Sequence, residues 1–567
     1  MHHSESLVWD LCSIPWIQVG KLTVSSMIEF TAQHAQRMRA GGWWQDRSFE
    51  QCFQIAVAQS PDKTALVAHR NDRQEAVRWS YAVLADHVAR ASGALRNLGI
   101  SAGDVVAVQL PNWWEFVVVA LACGRVGAVV NPLMPIFRER EMRYMLEFSE
   151  AKMLVVPNQF RGFDHASMAK TLWLELPSLN HVVVVDGEGD NNFNRVLLSS
   201  SAPPLTDCLS PTLEPDELAV LMFTSGTTGE PKGVMHSDNT LMACTHALAT
   251  RFHLSADDVL LACSPMGHMT GYAAMFLQSI YIGATLVLQD IWEPKRGVSI
   301  MVQEGVTHTA ASTPFLVDIS DCVSSGSPLP ALRTFLCGGA PIPPVQIERA
   351  AQVLKLQVSS LWGMTESLGS TLTEPERAAE KSSSTDGRAL QGVEVKVVDA
   401  QDQAMPLGET GRLMVRGAQM FLGYYKRADL KVFDVDGWFD TGDLAYMDDE
   451  GYIRINGRTK DVLIRGGENV PVVEIENLLH QHPAVMAASL VGYPDVRLGE
   501  RGCAFVVTRP GQMFNLLEAQ SWLNKNKVAK QYWPERVECL MELPKTPSGK
   551  VQKFLLREKA AVFGAIE

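Results

Sequence analysis

Between Leu218 and Leu361, short apolar runs alternate with stretches of helical periodicity, and that alternation leaves few folds open. The runs are Leu218–Phe223, Val259–Cys263, Thr285–Leu288, Thr307–Ala310, Arg333–Leu336 and Gln357–Leu361. Helices are expected between them, at Asn239–Phe252, Gly271–Ile282, Gly297–Glu304, Phe315–Val323 and Pro344–Leu354. Strands alternating with helices predict a mostly parallel sheet covered on both faces. Ligands of such sheets bind at the carboxyl ends of the strands. The same reading extends upstream, with a helix at Tyr81–Ile100, a strand at Asp104–Leu110, a buried helix at Trp113–Arg125 and strands at Ala128–Leu133 and Met153–Val156.

One strand end changes character abruptly. In Leu221–Ser237, LMFTSGTTGEPKGVMHS, apolar residues give way to Thr224, Ser225, Gly226, Thr227, Thr228, Gly229 and then Lys232–Gly233. Glycines let backbone approach a ligand, hydroxyls and free N–H groups donate hydrogen bonds, and a lysine adds a point charge. Gly/Ser/Thr runs are often plain loops, but this combination at a strand end reads as a phosphate cradle. It is not the P-loop pattern GxxxxGK[ST], because Lys232 is followed by Gly233 and not by Ser or Thr.

TSGTTGEPKGV resembles the signature of the acyl-adenylate-forming enzymes, the AMP-binding superfamily. These include acyl-CoA synthetases, peptide-synthetase adenylation domains and beetle luciferases. Further segments match the family's motifs in order, from about Met27 to the C-terminus. In PMGHMTG, His268 occupies the place of the residue beside the substrate carboxylate, although a lone histidine is more often a satisfied structural one. FLCGGAP, with Gly339, Ala340 and Pro341, resembles the adenine-binding segment. LWGMTE supplies Trp362, Gly363, Thr365 and Glu366. The resemblance implies that Thr365 bonds phosphate and that Glu366, with Thr224, holds Mg²⁺, a hard cation that takes oxygen ligands. In DTGD, Asp443 would accept the ribose hydroxyls, and Arg458 in GRTKD would reach the ribose or phosphate. Lys460 stands at the family's hinge. Gly466 and Gly467 in RGGEN would line the pantetheine channel, and Lys550 in PSGK would be the catalytic lysine. One departure stands out: relatives commonly carry His where this chain has Asp238, which is read here as a helix cap. His236 receives no role.

The resemblance therefore implies an α/β protein of parallel sheets with a β-rich subdomain and a small mobile α+β C-terminal domain. The β-rich part is expected from Val393–Asp399, Gly411–Val415 and Tyr452–Ile455. The C-terminal module is expected from a helix at Glu474–His482, strands at Val485–Val491 and Cys503–Thr508, a helix at Leu516–Asn526, a strand at Val537–Leu540 and a last helix from Phe554. The expected divisions are a poorly structured extension over 1–26, an AMP-binding domain over 27–459 and a lid domain over 460–567 hinged at Lys460. Met27 is a candidate start of the functional sequence.

The implied reaction joins a carboxylic acid to CoA at the expense of ATP, with Mg²⁺, through an acyl-adenylate. No basic residue lies in 264–271 or 337–341 to pair a second charge. An apolar acid is therefore expected, a short- or medium-chain fatty acid or cyclohexanecarboxylate, and with it a place in fatty-acid metabolism. A standalone enzyme loading a carrier protein is the alternative; with 17 residues after Lys550, no fused carrier is expected. An oxygenase like luciferase and a non-catalytic AMP-binding protein are further alternatives, the last disfavoured by the full set Glu366, Asp443, Arg458 and Lys550.

Charge narrows the partners. Lys+Arg 50 against Asp+Glu 63 gives a net −13, so the basic footprint of a nucleic-acid binder is missing. The longest apolar run, Phe116–Val130, is 15 residues and carries Arg125, too short and too polar for a membrane span. Scattered cysteines and the lack of a basic n-region before an apolar core point to a cytoplasmic protein.

Overall fold

The computed structural model describes residues 33–199, 203–205, 214–224, 231–324, 326, 328–339, 342–459, 463–465, 468–495, 498–546 and 549–565. The segments 1–26, 225–230, 340–341, 460–462, 466–467 and 547–548 lie outside them. With them go the expectations for the N-terminal extension, for Ser225, Gly226, Thr227, Thr228 and Gly229, for Ala340 and Pro341, and for Lys460, Gly466 and Gly467.

The alternating region folds as α/β, but into two large sheets and not one. The first has nine strands. Its centre is parallel, in the order Gln357–Met364, Thr334–Gly338, His308–Ala311, Val259–Ala262, Thr285–Gln289 and Thr64–His69. Antiparallel strands close both edges, Val77–Ser80 at one and Leu368–Leu372 with Arg388–Ala389 at the other. The second sheet has seven strands. Leu218–Thr224, Val129–Pro132, Val105–Val108, Met153–Pro157 and His181–Val185 run parallel, and Lys232–Ser237 and Gly423–Tyr424 add an antiparallel edge.

The helix Trp114–Val126 lies in the largest core, and almost every residue on it is buried. A helix apolar on all sides has no solvent face, and this one fits only between packed layers. Its exceptions are the buried Glu115 and Arg125; Arg125 is 2% exposed and pairs with Glu50, Nε to Oε1 at 2.7 Å. A charge buried so deeply is tolerated when a partner and hydrogen bonds replace water. Gly127 ends the helix in the left-handed conformation at φ 77°, which glycine adopts without a Cβ penalty.

Two local expectations change. The helix expected over Gly271–Ile282 is broken: Met269–Gly271 and Gln278–Ile282 are α-helical, and Tyr272–Leu277 between them is a π-helical turn. Such insertions are frequent at functional sites. The helix Asp238–Phe252 is capped by Ser237, whose hydroxyl accepts from the Thr240 N–H, and not by Asp238. Asp238 is the first helical residue. Its carboxyl reaches the Phe49 N–H at the start of another helix, Phe49–Gln59, and burial pushes it up to about 7 with help from Glu50.

The β-rich part is a four-stranded antiparallel sheet, Val393–Val398, Gly411–Gly417, Phe439–Met447 and Ile453–Arg458. The C-terminal part has its own sheet, in which Val485–Asp495 and Gly499–Thr508 pair antiparallel and Arg536–Cys539 lies parallel to the second. Its helices are Val472–His480, Leu516–Lys525 and Lys553–Ala561. It builds separate cores, one around Ile475, Leu479 and Leu523 and one around Phe505 and Leu556. Among the described residues, no helix is long and apolar enough to cross a membrane.

Candidate active site

Thr224 ends its strand opposite Lys232, with Phe223 opposite Gly233, so the cradle sequence joins two neighbouring antiparallel strands. A Cβ at Gly233 would stand 3.0 Å from Leu221 Cδ1 and 3.3 Å from Tyr425 Cβ, which accounts for a glycine after the lysine. The Lys232 ammonium lies over the ring of Tyr424, 4.6 Å from its centroid. On the other side of that residue, the Tyr424 hydroxyl donates to Glu366 Oε1 at 2.8 Å. Glu366 is 6% exposed, and its carbonyl accepts from the Phe421 N–H at 2.9 Å. Tyr424 thus joins the cradle lysine to the acidic end of LWGMTE.

The peptide before Glu366 is held from below. His236 Nε2 donates to the Thr365 carbonyl at 2.7 Å, and Nδ1 lies 3.0 Å from Thr240 Oγ1. Burial pulls the imidazole down to about 4, so it is neutral at pH 7 with its proton on Nε2. Thr365 is thus fixed through its main-chain carbonyl. Gly363 faces Leu368 across the hairpin so closely that a Cβ would collide with the Leu368 carbonyl.

The ribose motif assembles across two sheets. Asp443 pairs across the strands with Arg458, and Arg458 Nε lies 2.6 Å from Asp443 Oδ1. Trp362 Nε1, from the large sheet, donates to Asp443 Oδ2 at 2.9 Å. Asp443 is 3% exposed, so these two donors replace water at a buried carboxylate.

The third group joins the C-terminal part to the large sheet. Lys550 belongs to a closed turn: its N–H donates to Thr546 Oγ1 at 3.1 Å and its carbonyl accepts from the Thr546 N–H at 2.7 Å. Gly549, at φ 87°, packs where a Cβ would stand 3.0 Å from Pro314 Cγ and 3.2 Å from Ser312 Oγ. Those residues follow the strand His308–Ala311. His268 follows the neighbouring strand and caps Met269–Gly271, its Nδ1 accepting from the Thr270 N–H at 3.2 Å. Burial first, and the positive charge of Lys550 second, pull its imidazole down to about 4. The turn that carries Lys550 thus packs on the segment after one central strand, and His268 follows the strand beside it. Gly339 ends its strand at φ 79°, with Thr270 Oγ1 the nearest neighbour of a Cβ at 3.9 Å.

From His268 the chain runs into the buried segment Tyr272–Leu277. A cavity of about 60 Å³ lies against it, walled on its apolar side by Ala120, Leu121, Val130, Tyr272, Phe276 and Leu277, with Asp238 at its edge.

Several of the described site residues thus gather: Lys232 and Glu366 about Tyr424, with Thr224 opposite Lys232; and Trp362, Asp443 and Arg458 about one carboxylate; His268 and the Lys550 turn lie at neighbouring strand ends. Sequence reasoning missed Tyr424 and left His236 without a part. The signal for the first was present in FLGYY, a glycine and two aromatics between strands, but nothing local said which strand it would join.

Known proteins resemble this chain in sequence and in fold. The chain matches the AMP-binding enzyme model over residues 53–425 and the AMP-binding enzyme C-terminal domain model over 474–550. It is 37% identical to the medium-chain fatty-acid–CoA ligase of Escherichia coli (strain K12), over 94% of this chain and 94% of that protein. It is 31% identical to the 2,3-dihydroxybenzoate–AMP ligase of Bacillus subtilis, over 92% and 96%. Among solved structures, ATP-bound MatB from Rhodopseudomonas palustris superposes with a TM-score of 0.80 at 26% identity, covering 91% of this chain and all of that one.

Proposed function

This chain belongs to the AMP-binding enzyme family, and from that premise we propose that it joins an apolar short- or medium-chain carboxylic acid to coenzyme A. The broader statement, an acid–thiol ligase working through an adenylate with ATP and CoA as substrates, is common to the family and to the relatives named above. The finer one rests chiefly on a single observation: soon after His268 the chain enters a buried apolar segment, Tyr272–Leu277, beside a cavity whose lining is largely apolar but includes Ser48, Glu50, Gln51 and Asp238. The similarity to a medium-chain fatty-acid–CoA ligase supports it.

In the first half-reaction a carboxylate oxygen attacks the α-phosphorus of ATP, and pyrophosphate leaves. Lys550, beside His268, is the cation for the charge that gathers on the α-phosphate and the carboxylate. Lys232, with Thr224 and residues 225–229, holds the departing phosphates. Glu366 and Thr224 offer oxygen donors of the kind Mg²⁺ prefers, and among the described residues the buried carboxylate is held by only a neutral phenol. When bound, the metal would neutralise charge on the leaving group. Asp443 retains lone pairs for ribose hydroxyls, since a carboxylate accepts about four hydrogen bonds, with Gly339 to Pro341 and Trp362 beside the base. In the second half-reaction the CoA sulfur attacks the acyl carbon and AMP leaves. We assign the turn between the halves to a hinge at Lys460, between domains of 27–459 and 460–567, with Gly466 and Gly467 lining the thiol channel. Protein groups positioned in advance are the main source of rate in such chemistry.

The test is a screen of acids, from acetate to palmitate with benzoate, salicylate and cyclohexanecarboxylate, read as pyrophosphate release and as acyl-CoA formation. kcat/KM should rise from acetate to about octanoate, because each buried methylene contributes roughly 0.8 kcal/mol. Salicylate or benzoate as the best substrate would favour a second reading, an aryl-acid ligase, for which the similarity to the 2,3-dihydroxybenzoate–AMP ligase speaks. Pyrophosphate release without acyl-CoA formation, restored by a carrier protein, would identify an enzyme that loads carriers.

A further inference from the structure

We propose that Tyr424 is the positioning residue of the nucleotide end of this site, its hydroxyl orienting Glu366 and its ring anchoring Lys232. The proposal rests on the assignment above of Glu366 to the metal and Lys232 to the phosphates.

The backbone leaves Tyr424 little freedom. The short strand Gly423–Tyr424 pairs with Lys232–Ser237, Tyr424 opposite Val234 and Gly423 opposite Met235. The Leu422 N–H donates to the Met235 carbonyl and the Tyr425 N–H to the Gly233 carbonyl, both at 2.8 Å. Gly423, at φ 126°, makes a turn of backbone that a side chain would strain. Phe421 packs edge-on to the Tyr424 ring at 5.0 Å, and its own N–H holds the Glu366 carbonyl. The phenol is 9% exposed and is tied to the same two segments it serves.

Both services concern ions. A glutamate carboxylate turns freely about its last bond; a donor on Oε1 selects one orientation and leaves the second oxygen for a hard cation. A phenol, with an ordinary pKa of about 10, is protonated at pH 7 and so acts as the donor to the carboxylate. A lysine has four rotatable bonds, and an ammonium over an aromatic face is attracted to the ring's electron density. One rigid ring therefore fixes an anion for the metal and a cation for the phosphates at a set separation. A phenylalanine would fill the same volume, so packing alone does not account for the hydroxyl.

The experiment measures ATP binding by calorimetry without acid, across a series of free Mg²⁺ concentrations and again in EDTA. Wild type, Tyr424→Phe, Tyr424→Leu, Glu366→Gln and the double variant Tyr424→Phe/Glu366→Gln are compared, with thermal melting as the check on folding. Tyr424→Phe should raise the Mg²⁺ needed for half-maximal ATP binding about 10-fold, the usual effect of removing a group behind a metal ligand, and leave binding in EDTA unchanged. Tyr424→Leu should add a loss of about 3-fold in EDTA, because Lys232 loses its ring. In the Glu366→Gln background, Tyr424→Phe should change nothing further. A Tyr424→Phe enzyme with wild-type Mg²⁺ dependence, while Glu366→Gln shifts it, overturns the proposal and leaves the site assignment intact. Additive shifts in the double variant also overturn it. If Glu366→Gln itself leaves Mg²⁺ dependence unchanged, the metal assignment fails and the proposal falls with it.

Discussion

Two buried carboxylates, Glu366 and Asp443, are assigned here to the proposed nucleotide site, and their surroundings differ. Glu366 is held at one oxygen by a neutral phenol, the one donor to it among the described residues. Asp443 is held at both oxygens, by the Arg458 guanidinium and the Trp362 indole. A charged partner neutralises a carboxylate and orients it; a phenol orients it and leaves the charge in place. The first arrangement suits binding a cation. The second suits accepting hydroxyls at a fixed angle. The same functional group, at similar burial, is thus prepared for two tasks by its neighbours.

The largest effect should come from a residue that serves neither carboxylate. Lys550→Ala is expected to slow pyrophosphate release about 1000-fold, as loss of a charge aimed at the transition state does, and to spare acyl-CoA formation from supplied acyl-AMP. Gly549→Val, whose side chain would strain the φ 87° backbone and press on Pro314 and Ser312, should act in the same direction. Equal loss of both half-reactions in folded protein would refute the separation.

Next come the carboxylates themselves. Glu366→Gln should lower kcat about 100-fold, in the range of a lost electrostatic group, and added Mg²⁺ should restore part of it. Asp443→Asn should instead raise KM for ATP about 10-fold, the cost of roughly one charge-assisted hydrogen bond, with Mg²⁺ dependence unmoved. Rescue of Asp443→Asn by Mg²⁺ would erase the contrast drawn above.

A smaller effect sharpens it. Trp362→Phe removes the donor to Asp443 Oδ2 and keeps an aromatic ring, so KM for ATP should rise about 3- to 5-fold, a neutral hydrogen bond's worth. A change in Mg²⁺ dependence there would mean that the two groups are coupled.

A last effect concerns pH and bears on stability, not on activity. His34, His165, His236, His268 and His308 are pulled down to about 4 in the folded protein, burial being the main cause, against 6.5 in the unfolded chain. Between those values the unfolded state binds more protons. Stability is therefore complete above about 6.5 and is lost as pH falls towards 4. His236→Gln should flatten that loss by about 1–2 kcal/mol at pH 5, measured by urea unfolding at pH 5 and 7.5. An unchanged slope would mean that His236 is already protonated in the fold.

Local features were legible because their physics is local. A strand running into glycines and hydroxyls, a helix ending at glycine, and the contiguous motifs LWGMTE, DTGD and GRTKD each carry their meaning within a few residues. The reading failed where partners are distant in sequence. Tyr424 lies 58 residues from Glu366, and His236 lies 129 from Thr365. Asp238 read as a helix cap because Asp caps helices, yet the adjacent Ser237 took that place and the carboxylate serves a different helix.

By itself, then, the sequence determined the α/β class and the family, since periodicity and motif are properties of neighbouring residues. Only the tertiary structure decided that the alternating strands divide between two sheets, because apolar runs specify burial but not which strand pairs with which. It also decided that a tyrosine stands between Glu366 and Lys232, that tryptophan and arginine share Asp443, and that the Lys550 turn packs on Ser312 and Pro314. Each of those contacts is made by chain segments brought together by packing, and no local propensity encodes them.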